Sequence, residues 1–321
     1  MATETLQDAV CVVAGGGNGL GEAAAHELAA HGARVVVNDL GTGVDGTGSD
    51  ASVPESVASD IRENGGEAVA HHGDVSDFGY AEALIADTVE EYGRVDFVCN
   101  FAGILRDGIS YRLSPEEWHA VVGTNLTGQF APLRAAAKHW REVAKASESG
   151  GGGDGSGDDD GDDGDDSDGL DRQRSYLAVS AGAARGSLGQ ANYAAAKAGV
   201  LGMVRSVSNE LLRSNVRVNA LIPNGYTRMT ETVPEEHRPY TREEMPPERV
   251  APLVAYLASE HAEDLTGCTL YAGGDRVGVF ADPSMETVGV NPDGWTLASL
   301  AEHFREDVAA DVDLTRTESH L

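Results

Sequence analysis

Residues 10–21 of the chain read VCVVAGGGNGLG, and this stretch decides the fold class. The apolar run Val10–Ala14 has the length and composition of a buried strand, and it ends in a turn rich in glycine. A helical pattern follows over about residues 19–31. Glycine lets the backbone approach a ligand closely, and a helix N-terminus presents N–H groups and a positive dipole. A strand, a glycine turn and a helix in this order are typical of pyrophosphate-binding sites.

Strand and helix patterns alternate along the rest of the chain. Apolar strand runs are expected at residues 34–37, 67–72, 95–99, 176–179 and 217–222, and helices at about 53–64 and 78–92. This alternation predicts an α/β fold, a Rossmann-like doubly wound parallel sheet with helices on both faces. The length of 321 residues fits one such domain with additions. We expect the domain to occupy residues 1–280 and a C-terminal helical extension, with a helix at about 296–304, to occupy 281–321.

The middle of the chain contains a strong helix start and an unusual acidic segment. Ser114 and Glu117 form a capping box around Pro115, so a helix should begin there and continue past Asn125. Residues 148–171 read ESGGGGDGSGDDDGDDGDDSDGLD and show no apolar periodicity, which predicts a disordered acidic insert. Because the closing Glu and the flanking helices of a calcium loop are missing, we expect no metal site.

The net charge of −30 excludes several classes of partner. A surface this acidic repels nucleic acid and anionic membranes. The sequence shows no signal peptide and no apolar run near 18 residues, so we expect a soluble, cytoplasmic protein. Three lysines against twenty arginines, with abundant Asp and Glu, favour a halophile surface whose self-repulsion is screened by salt, over an acidic protein of an ordinary cytosol. The cysteines, Cys11, Cys99 and Cys268, lie far apart in apolar runs and are expected to be reduced.

The segment SAGAARGSLGQANYAAAKAG, residues 180–199, carries the candidate chemistry. Tyr193 and Lys197 are four residues apart in an alanine-rich helical run, so their side chains share one helix face. Tyrosine has a pKa of about 10, and a nearby ammonium group would lower it towards the range in which the phenol can exchange a proton. Ser180 follows an apolar strand run, and a glycine-rich loop could bring its hydroxyl towards Tyr193.

These residues resemble the active site of the short-chain dehydrogenase/reductase family. The serine, the gap of thirteen residues and the Y-x-x-x-K pattern match that site, and the spacing of Gly15, Gly19 and Gly21 matches the family pattern T-G-x-x-x-G-x-G with Ala14 in place of threonine. The resemblance implies that Ser180, Tyr193, Lys197 and Asn125 are catalytic, with Asn125 holding a water molecule that links the lysine to solvent.

The same resemblance implies a nicotinamide cofactor. An acidic residue at the end of the second strand, Asp39, can accept hydrogen bonds from a ribose diol and would repel a 2′-phosphate, which favours NAD over NADP. Phe101 replaces the second asparagine of the family's N-N-A-G turn beneath the cofactor. The residues implied to bind the cofactor are Gly15, Gly17, Asn18, Gly19, Leu20, Gly21, Asp39, Asp74, Val75, Asn100, Ala102, Gly103, Tyr193, Lys197, Pro223 and Thr227.

Three further segments narrow the resemblance to one branch of the family. VVNDLG at residues 36–41, AGILRD at 102–107 and PNGYTRMTETVP at 223–234 are similar to the (3R)-hydroxyacyl-CoA dehydrogenase domain of peroxisomal multifunctional enzyme type two. That branch oxidises (3R)-hydroxyacyl-CoA to 3-ketoacyl-CoA with NAD in fatty acid metabolism, and residues 224–245 would form a substrate lid. The family forms dimers and tetramers, so a homo-oligomer is expected.

The sequence leaves alternatives open. A 3-oxoacyl reductase or a steroid or polyol dehydrogenase would use the same scaffold, because a fold does not determine its substrate. A catalytically silent dinucleotide-binding sensor is a further alternative, which the four catalytic positions disfavour. Five arginines lie in segments expected to border the mouth of the site, and they could bind the phosphates of CoA or pair with surface carboxylates: Arg106, Arg112, Arg228, Arg238 and Arg242.

Overall fold

The structure is a computed structural model that describes residues 5–150 and 173–310. Its strands are β1 (Val10–Ala14), β2 (Arg34–Asp39), β3 (Glu67–His72), β4 (Phe97–Asn100), β5 (Arg174–Val179), β6 (Val216–Asn224), β7 (Thr269–Gly273) and β8 (Arg276–Phe280). Its helices are α1 (Gly19–Ala30), α2 (Ser52–Glu63), α3 (Phe78–Tyr92), α4 (Pro115–Val122), α5 (Gly128–Gly150), α6 (Ala191–Leu211), α7 (Arg228–Glu231), α8 (Ala251–Ala258) and α9 (Leu297–His303).

The strands form one sheet in the order β3-β2-β1-β4-β5-β6-β7-β8, in which β1 to β7 are parallel and β8 is antiparallel to β7. The chain leaves β1 on one side to form β2 and β3, and returns on the other side to form β4. The carboxyl ends of β1 and β4 therefore diverge at a switch point, where open α/β sheets bind their ligands. The predicted doubly wound parallel sheet is confirmed.

Apolar residues cover both faces of the sheet and form two cores. One core joins β1 and β2 to α1, α2 and α8, and it contains Val13, Val35 and Leu28. The other lies against α3, α5 and α6, and it contains Val12 and Trp140. Because parallel strands are buried on both faces, their sequences are continuous apolar runs, which explains why these strands were recognisable in the sequence.

The helix that begins after Ser114 differs from the expected continuous helix. The predicted capping box is present, since Glu117 N–H donates to the Ser114 hydroxyl and Ser114 N–H donates to the Glu117 carboxylate. The α-helix ends at Val122, however, and Gly123–Thr127 form a π-helical turn before α5 begins. The wider turn reorients Asn125 relative to a regular helix, and such turns are frequent at functional sites. From residue 151 onward, the predicted acidic insert lies outside the described residues.

The chain divides into two compact units, Met1–Phe280 and Ala281–Leu321. In the second unit, α9 begins at a cap where Ser299 N–H donates to the Thr296 hydroxyl. The helix lies where the sequence placed one. A short π-helical turn, Phe304–Val308, follows, and the Thr287 hydroxyl donates to the carbonyl of Val308.

No helix in the described part of the chain is long and apolar enough to cross a membrane. All three cysteines are thiols, with Cys11 and Cys99 buried and Cys268 partly buried. Burial raises the pKa of the Cys99 thiol well above its usual range.

Candidate active site

A cavity of about 410 Å³ lies at the carboxyl ends of the parallel strands. Its walls come from the turn after β1, the ends of β2, β3, β4 and β5, the first two turns of α6 and the segment after β6. Ser180, Tyr193 and Lys197 line this cavity together with Gly15 and Asp39. The tertiary fold thus brings together the glycine turn and the candidate catalytic residues, which are more than 150 positions apart in the sequence.

The glycine turn is shaped by close backbone contacts that only glycine permits. Gly15 has a φ of +67°, and a Cβ atom there would overlap the backbone of Ala102. A Cβ on Gly21 would overlap the carbonyl oxygen of Gly15. Gly19, at the start of α1, also has a positive φ, of +57°. The N-terminus of α1 is therefore open towards the cavity, as binding of a pyrophosphate requires.

Asp39 connects the end of β2 to the glycine turn. Its carboxylate accepts a hydrogen bond from Gly17 N–H at 3.0 Å and a second from Gly41 N–H at 2.7 Å. The side chain is 8% exposed and lines the cavity. A negative charge is consequently held at one defined place, beside the turn that approaches the phosphates.

Three side chains form the candidate reaction centre. The Ser180 hydroxyl donates to the carbonyl of Lys197 at 2.7 Å, so the strand end and the helix are joined directly. The Lys197 ammonium donates to the carbonyl of Val179 at 2.9 Å and lies 5.5 Å from the centre of the Tyr193 ring. The phenol ring is half-buried in the cavity wall. The Ser180 and Lys197 side chains are therefore held by backbone carbonyls of α6 and β5.

Burial dominates the protonation of this centre. It lowers the pKa of Lys197 to about 7 and raises the pKa of Tyr193 above its ordinary value, to which the negative charge of Asp107 adds. The expected lowering of the Tyr193 pKa by the lysine is therefore wrong. Desolvation outweighs the attraction of an ammonium group that is bonded to Val179 and not to the phenol oxygen.

Asn125 does not line the cavity but lies directly behind it. It is fully buried in the π-helical turn, and its amide donates to the carbonyls of Ile104 at 2.9 Å and Val121 at 3.0 Å. Its Oδ1 atom has no hydrogen-bond partner among the described residues. A Cβ atom at Gly103 would lie 2.7 Å from this oxygen and 3.8 Å from Lys197 Nζ. Gly103 thus leaves space for a small polar ligand such as water between the amide and the ammonium.

Most of the sequence-predicted residues meet in this one cavity. Those that line it are Gly15, Asn18, Gly19, Leu20, Gly21, Asp39, Asp74, Val75, Ala102, Gly103, Ser180, Tyr193, Lys197, Pro223 and Thr227. Gly17, Asn100 and Asn125 do not line it and support residues that do. Gly17 donates to Asp39, and the buried Asn100 accepts from Ala102 N–H at 2.9 Å and donates to the carbonyl of Gly128 at 2.7 Å.

Several residues of the cavity wall were not predicted from the sequence. They include Asn38, Thr42, Gly46, Ile104 and Gln190, whereas Arg228, Met229 and Tyr240 lie in the predicted lid segment. Thr42 and Gly46 belong to the long loop between β2 and α2, whose length was the only available signal. That loop is joined to the opposite wall, because Leu105 N–H donates to the carbonyl of Val44 and Arg228 donates to the carbonyl of Thr42.

The five arginines expected near the mouth differ in their contacts. Only Arg228 lines the cavity. Arg106 and Arg238 donate to backbone carbonyls, those of Asp45 and Val233, while Arg242 pairs with the Glu248 carboxylate at 3.2 Å. Arg112 lies over the ring of Tyr111. Pairing with surface carboxylates therefore accounts for one of the five in the described part of the chain.

Comparison with known proteins places this site in a family. The family model described as short chain dehydrogenase matches residues 9–151, and one described as Enoyl-(Acyl carrier protein) reductase matches residues 170–274. A hydroxyacyl-CoA dehydrogenase of Mycobacterium tuberculosis is 35% identical, with 88% of this chain and 83% of that protein covered. The chain belongs to the short-chain dehydrogenase/reductase family. Peroxisomal multifunctional enzyme type 2 of Mus musculus is 37% identical over 80% of this chain, which spans 31% of that longer protein.

A solved structure of a short chain dehydrogenase from Mycobacterium avium matches with a TM-score of 0.76 and 35% identity, covering 93% of each chain. Short-chain dehydrogenases are oxidoreductases that act on CH–OH groups and bind a nicotinamide dinucleotide, NAD or NADP. The glycine turn fits such a cofactor, since the backbone contacts of Gly15 and Gly21 leave the N-terminus of α1 accessible from the cavity.

Proposed function

We propose that this short-chain dehydrogenase interconverts a (3R)-hydroxyacyl-CoA and the corresponding 3-ketoacyl-CoA with NAD as the cofactor. The observation that carries the chemistry is the meeting of Ser180, Tyr193 and Lys197 in the cavity that the glycine turn also lines. Two relatives support the substrate class. One is named a hydroxyacyl-CoA dehydrogenase, and the other is the multifunctional enzyme whose dehydrogenase domain three segments of this chain resemble.

Tyr193 is the residue proposed to exchange a proton with the substrate hydroxyl. It takes the proton as C3 of the alcohol is oxidised and returns it in the opposite direction. When bound, the nicotinamide supplies the hydride acceptor. Because burial raises the pKa of Tyr193, the phenol is suited to donate its proton in reduction of the ketone, and in the oxidation direction it must first pass that proton on.

Ser180 and Lys197 are proposed to organise the same oxygen. The Ser180 hydroxyl donates to the carbonyl of Lys197, so its oxygen can accept from the hydroxyl of an alcohol substrate, and it can donate to a ketone oxygen after rotating away from that carbonyl. Lys197 lies one helical turn beyond Tyr193, where its charge favours the phenolate once the cavity is filled. Asn125, with its unpartnered Oδ1, would hold the water that returns a proton to the lysine.

NAD is the proposed cofactor because the Asp39 carboxylate lies beside the place where an adenosine ribose would bind. Its carboxylate can accept from the ribose diol, whereas a 2′-phosphate would meet a negative charge. The following loop contains no lysine or arginine from residue 40 to residue 52 that would favour a 2′-phosphate. The acidic surface also supports the proposal that the protein works in concentrated salt.

A substrate panel tests the function directly. Matched (3R)-hydroxyacyl-CoA esters and their free hydroxy acids are oxidised with NAD and with NADP in molar salt. We expect the highest kcat/KM for an acyl-CoA with NAD. A higher kcat/KM for short alcohols, steroids or sugars would contradict the substrate class and leave the oxidoreductase assignment unaffected. Faster reduction of a 3-oxoacyl carrier-protein ester than of the CoA ester would favour a biosynthetic reductase. That is the second candidate, because a 3-oxoacyl-[acyl-carrier-protein] reductase of Synechocystis is 35% identical over 84% of this chain.

A further inference from the structure

A chain of hydrogen-bonded side chains runs from the surface to the adenosine end of the cavity. Asp87, on α3, is bonded to His71 Nε2 at 2.9 Å, and His71 Nδ1 is bonded to the Tyr80 hydroxyl at 2.5 Å. The same hydroxyl accepts from the amide of Asn38 at 2.8 Å. Asn38 is 1% exposed and lines the cavity, whereas the Asp87 carboxylate is exposed. None of these four residues takes part in the proposed chemistry.

Asn38 lies at a junction of the dinucleotide site. The two hydrogens of its side-chain amide are shared among three acceptors, the Tyr80 oxygen and the carbonyls of His71 at 3.0 Å and Gly73 at 3.2 Å, and its main-chain carbonyl accepts from Gly16 N–H at 2.9 Å. Asn38 therefore joins the glycine turn to the end of β3. The residues just after that end, Asp74 and Val75, form the neighbouring wall of the cavity.

Tyr80 supports the same wall from the other side. Its ring lies directly against the backbone of Gly73, where a Cβ atom would overlap it. The helix that carries it is anchored at its start, because Tyr80 N–H donates to the Asp77 carboxylate at 2.7 Å. Burial raises the pKa of the Tyr80 phenol well above its usual range, so the hydroxyl keeps its proton and can donate it to a neighbour.

The donors and acceptors determine the proton on His71. Asn38 donates to the phenol oxygen, so the phenol must donate its own proton to His71 Nδ1, and Nε2–H must donate to the Asp87 carboxylate. Every group is satisfied when the imidazole is neutral with its proton on Nε2. If Nδ1 is protonated, it donates to the phenol oxygen and competes there with Asn38, and the phenol proton must turn away from the imidazole.

Protonation of His71 must therefore weaken the bond between Tyr80 and Asn38. The groups bonded to the imidazole are Asp87 and Tyr80 from α3, while Asp74, from the turn after β3, acts on the Tyr80 phenol and β2 contributes the uncharged Asn38. Histidine is the side chain whose charge ordinarily changes between pH 5 and pH 8. When Nδ1 is protonated, Asn38 keeps its two carbonyl acceptors but loses its bond to Tyr80, which joins β2 to α3 behind the cavity wall.

We propose that Asn38 and Tyr80 are positioning residues for dinucleotide binding, and that protonation of His71 lowers the affinity of this site. The proposal depends on the binding of a nicotinamide dinucleotide and is independent of the substrate. Loss of one hydrogen bond between uncharged groups corresponds to a loss of affinity of about fivefold. The expected behaviour is weaker NADH binding at pH 5.5 than at pH 8.

Fluorescence titration of the intact protein with NADH at both pH values provides the test. We expect the wild-type Kd to rise about fivefold on acidification, and the Tyr80→Phe variant to show the weaker Kd at both values. His71→Gln, which cannot be protonated, should also show no dependence on pH. If Tyr80→Phe does not fold, the pH dependence of NADH binding by His71→Gln provides the test. Tyr256, on α8, has a hydroxyl that donates to the carbonyl of His261. Tyr256→Phe is the matched control, and we expect it to bind NADH like the wild type at both pH values.

A wild-type Kd that is the same at both pH values would overturn the proposal. So would a Tyr80→Phe or His71→Gln variant that binds NADH with the full pH dependence of the wild type. Absence of NADH binding in the wild type at both pH values would instead contradict the dinucleotide site itself. Thermal unfolding measured on the same samples separates loss of affinity from loss of folded protein.

Discussion

The two halves of the cavity are built in different ways. The half around the glycine turn is shaped by backbone contacts, because Gly15 and Gly21 leave no room for a side chain against Ala102 and against each other. The half around α6 is shaped by buried polar side chains, since Ser180 and Lys197 are held by carbonyls at 2.7 and 2.9 Å. Backbone contacts determine shape, whereas polar side chains determine protonation. Substitutions in the glycine-turn half should accordingly affect folding and NADH binding, whereas substitutions in the α6 half should affect turnover.

The largest expected effect is in the catalytic half. Tyr193→Phe removes the proposed proton-exchanging group while retaining the ring, so kcat should fall by at least about a hundredfold. NADH binding measured by fluorescence should change little, because the glycine turn is unaffected. A variant that keeps more than a few per cent of the wild-type kcat would show that Tyr193 is not the proton-exchanging residue.

Gly21→Ala tests the other half by adding one methyl group. The new Cβ would overlap the carbonyl of Gly15, so the turn must shift, and we expect a loss of about 3 kcal/mol in the free energy of unfolding with weaker NADH binding. Gly202→Ala, in α6 with nothing within 4 Å of its Cβ position, is the matched control and should gain about 1 kcal/mol. Urea unfolding measures both. Equal effects of the two substitutions would contradict the shape argument.

Lys197→Met tests whether charge dominates the catalytic half. The folded-state pKa of about 7 lies below the unfolded value of 10.5, so between these values the unfolded chain binds a proton that the native protein does not. The free energy of unfolding of the wild type should therefore rise with pH above 7, by roughly 2 kcal/mol from pH 7 to pH 9 through this group. The free energy of unfolding of Lys197→Met should lack this rise with pH, and the variant should also be inactive. An identical pH dependence in both proteins would show that Lys197 is not buried in the way described.

The smallest effect concerns the carboxylate of Asp39, beside the glycine turn. Asp39→Asn removes the negative charge and keeps one oxygen, which can accept from Gly17 N–H or Gly41 N–H but not from both, so the ratio of kcat/KM for NAD to that for NADP should fall about tenfold. Asp50→Asn, an exposed acidic residue of the same loop bonded only to Ser52 N–H and its hydroxyl, is the control and should leave the ratio unchanged. A wild-type protein that prefers NADP would contradict the role given to Asp39.

Local patterns in the sequence were sufficient for much of the fold. The apolar runs that became β1 and β3, the helix Phe78–Tyr92 and the capping box at Ser114 were predictable because each depends on neighbouring residues alone. The helix through Asn125 was predicted as continuous and is interrupted by a π-helical turn. That interruption accompanies the bonds of Asn125 to Ile104 and Val121, and Ile104 lies on a different segment of the chain.

The sequence by itself determined the chemistry that the cavity can contain, because the spacing of glycines and of the Tyr193–Lys197 pair is a local property. The tertiary structure alone decided the protonation and the hydrogen bonding of these residues. The protonation of Tyr193 and Lys197 depends on burial by distant elements, which reversed the shift expected for the phenol pKa. Likewise, Asn38, His71 and Tyr80 show no pattern in the sequence, since they meet only when β2, β3 and α3 pack together. Hydrogen bonds and desolvation act through space, and a linear pattern records only neighbours along the chain.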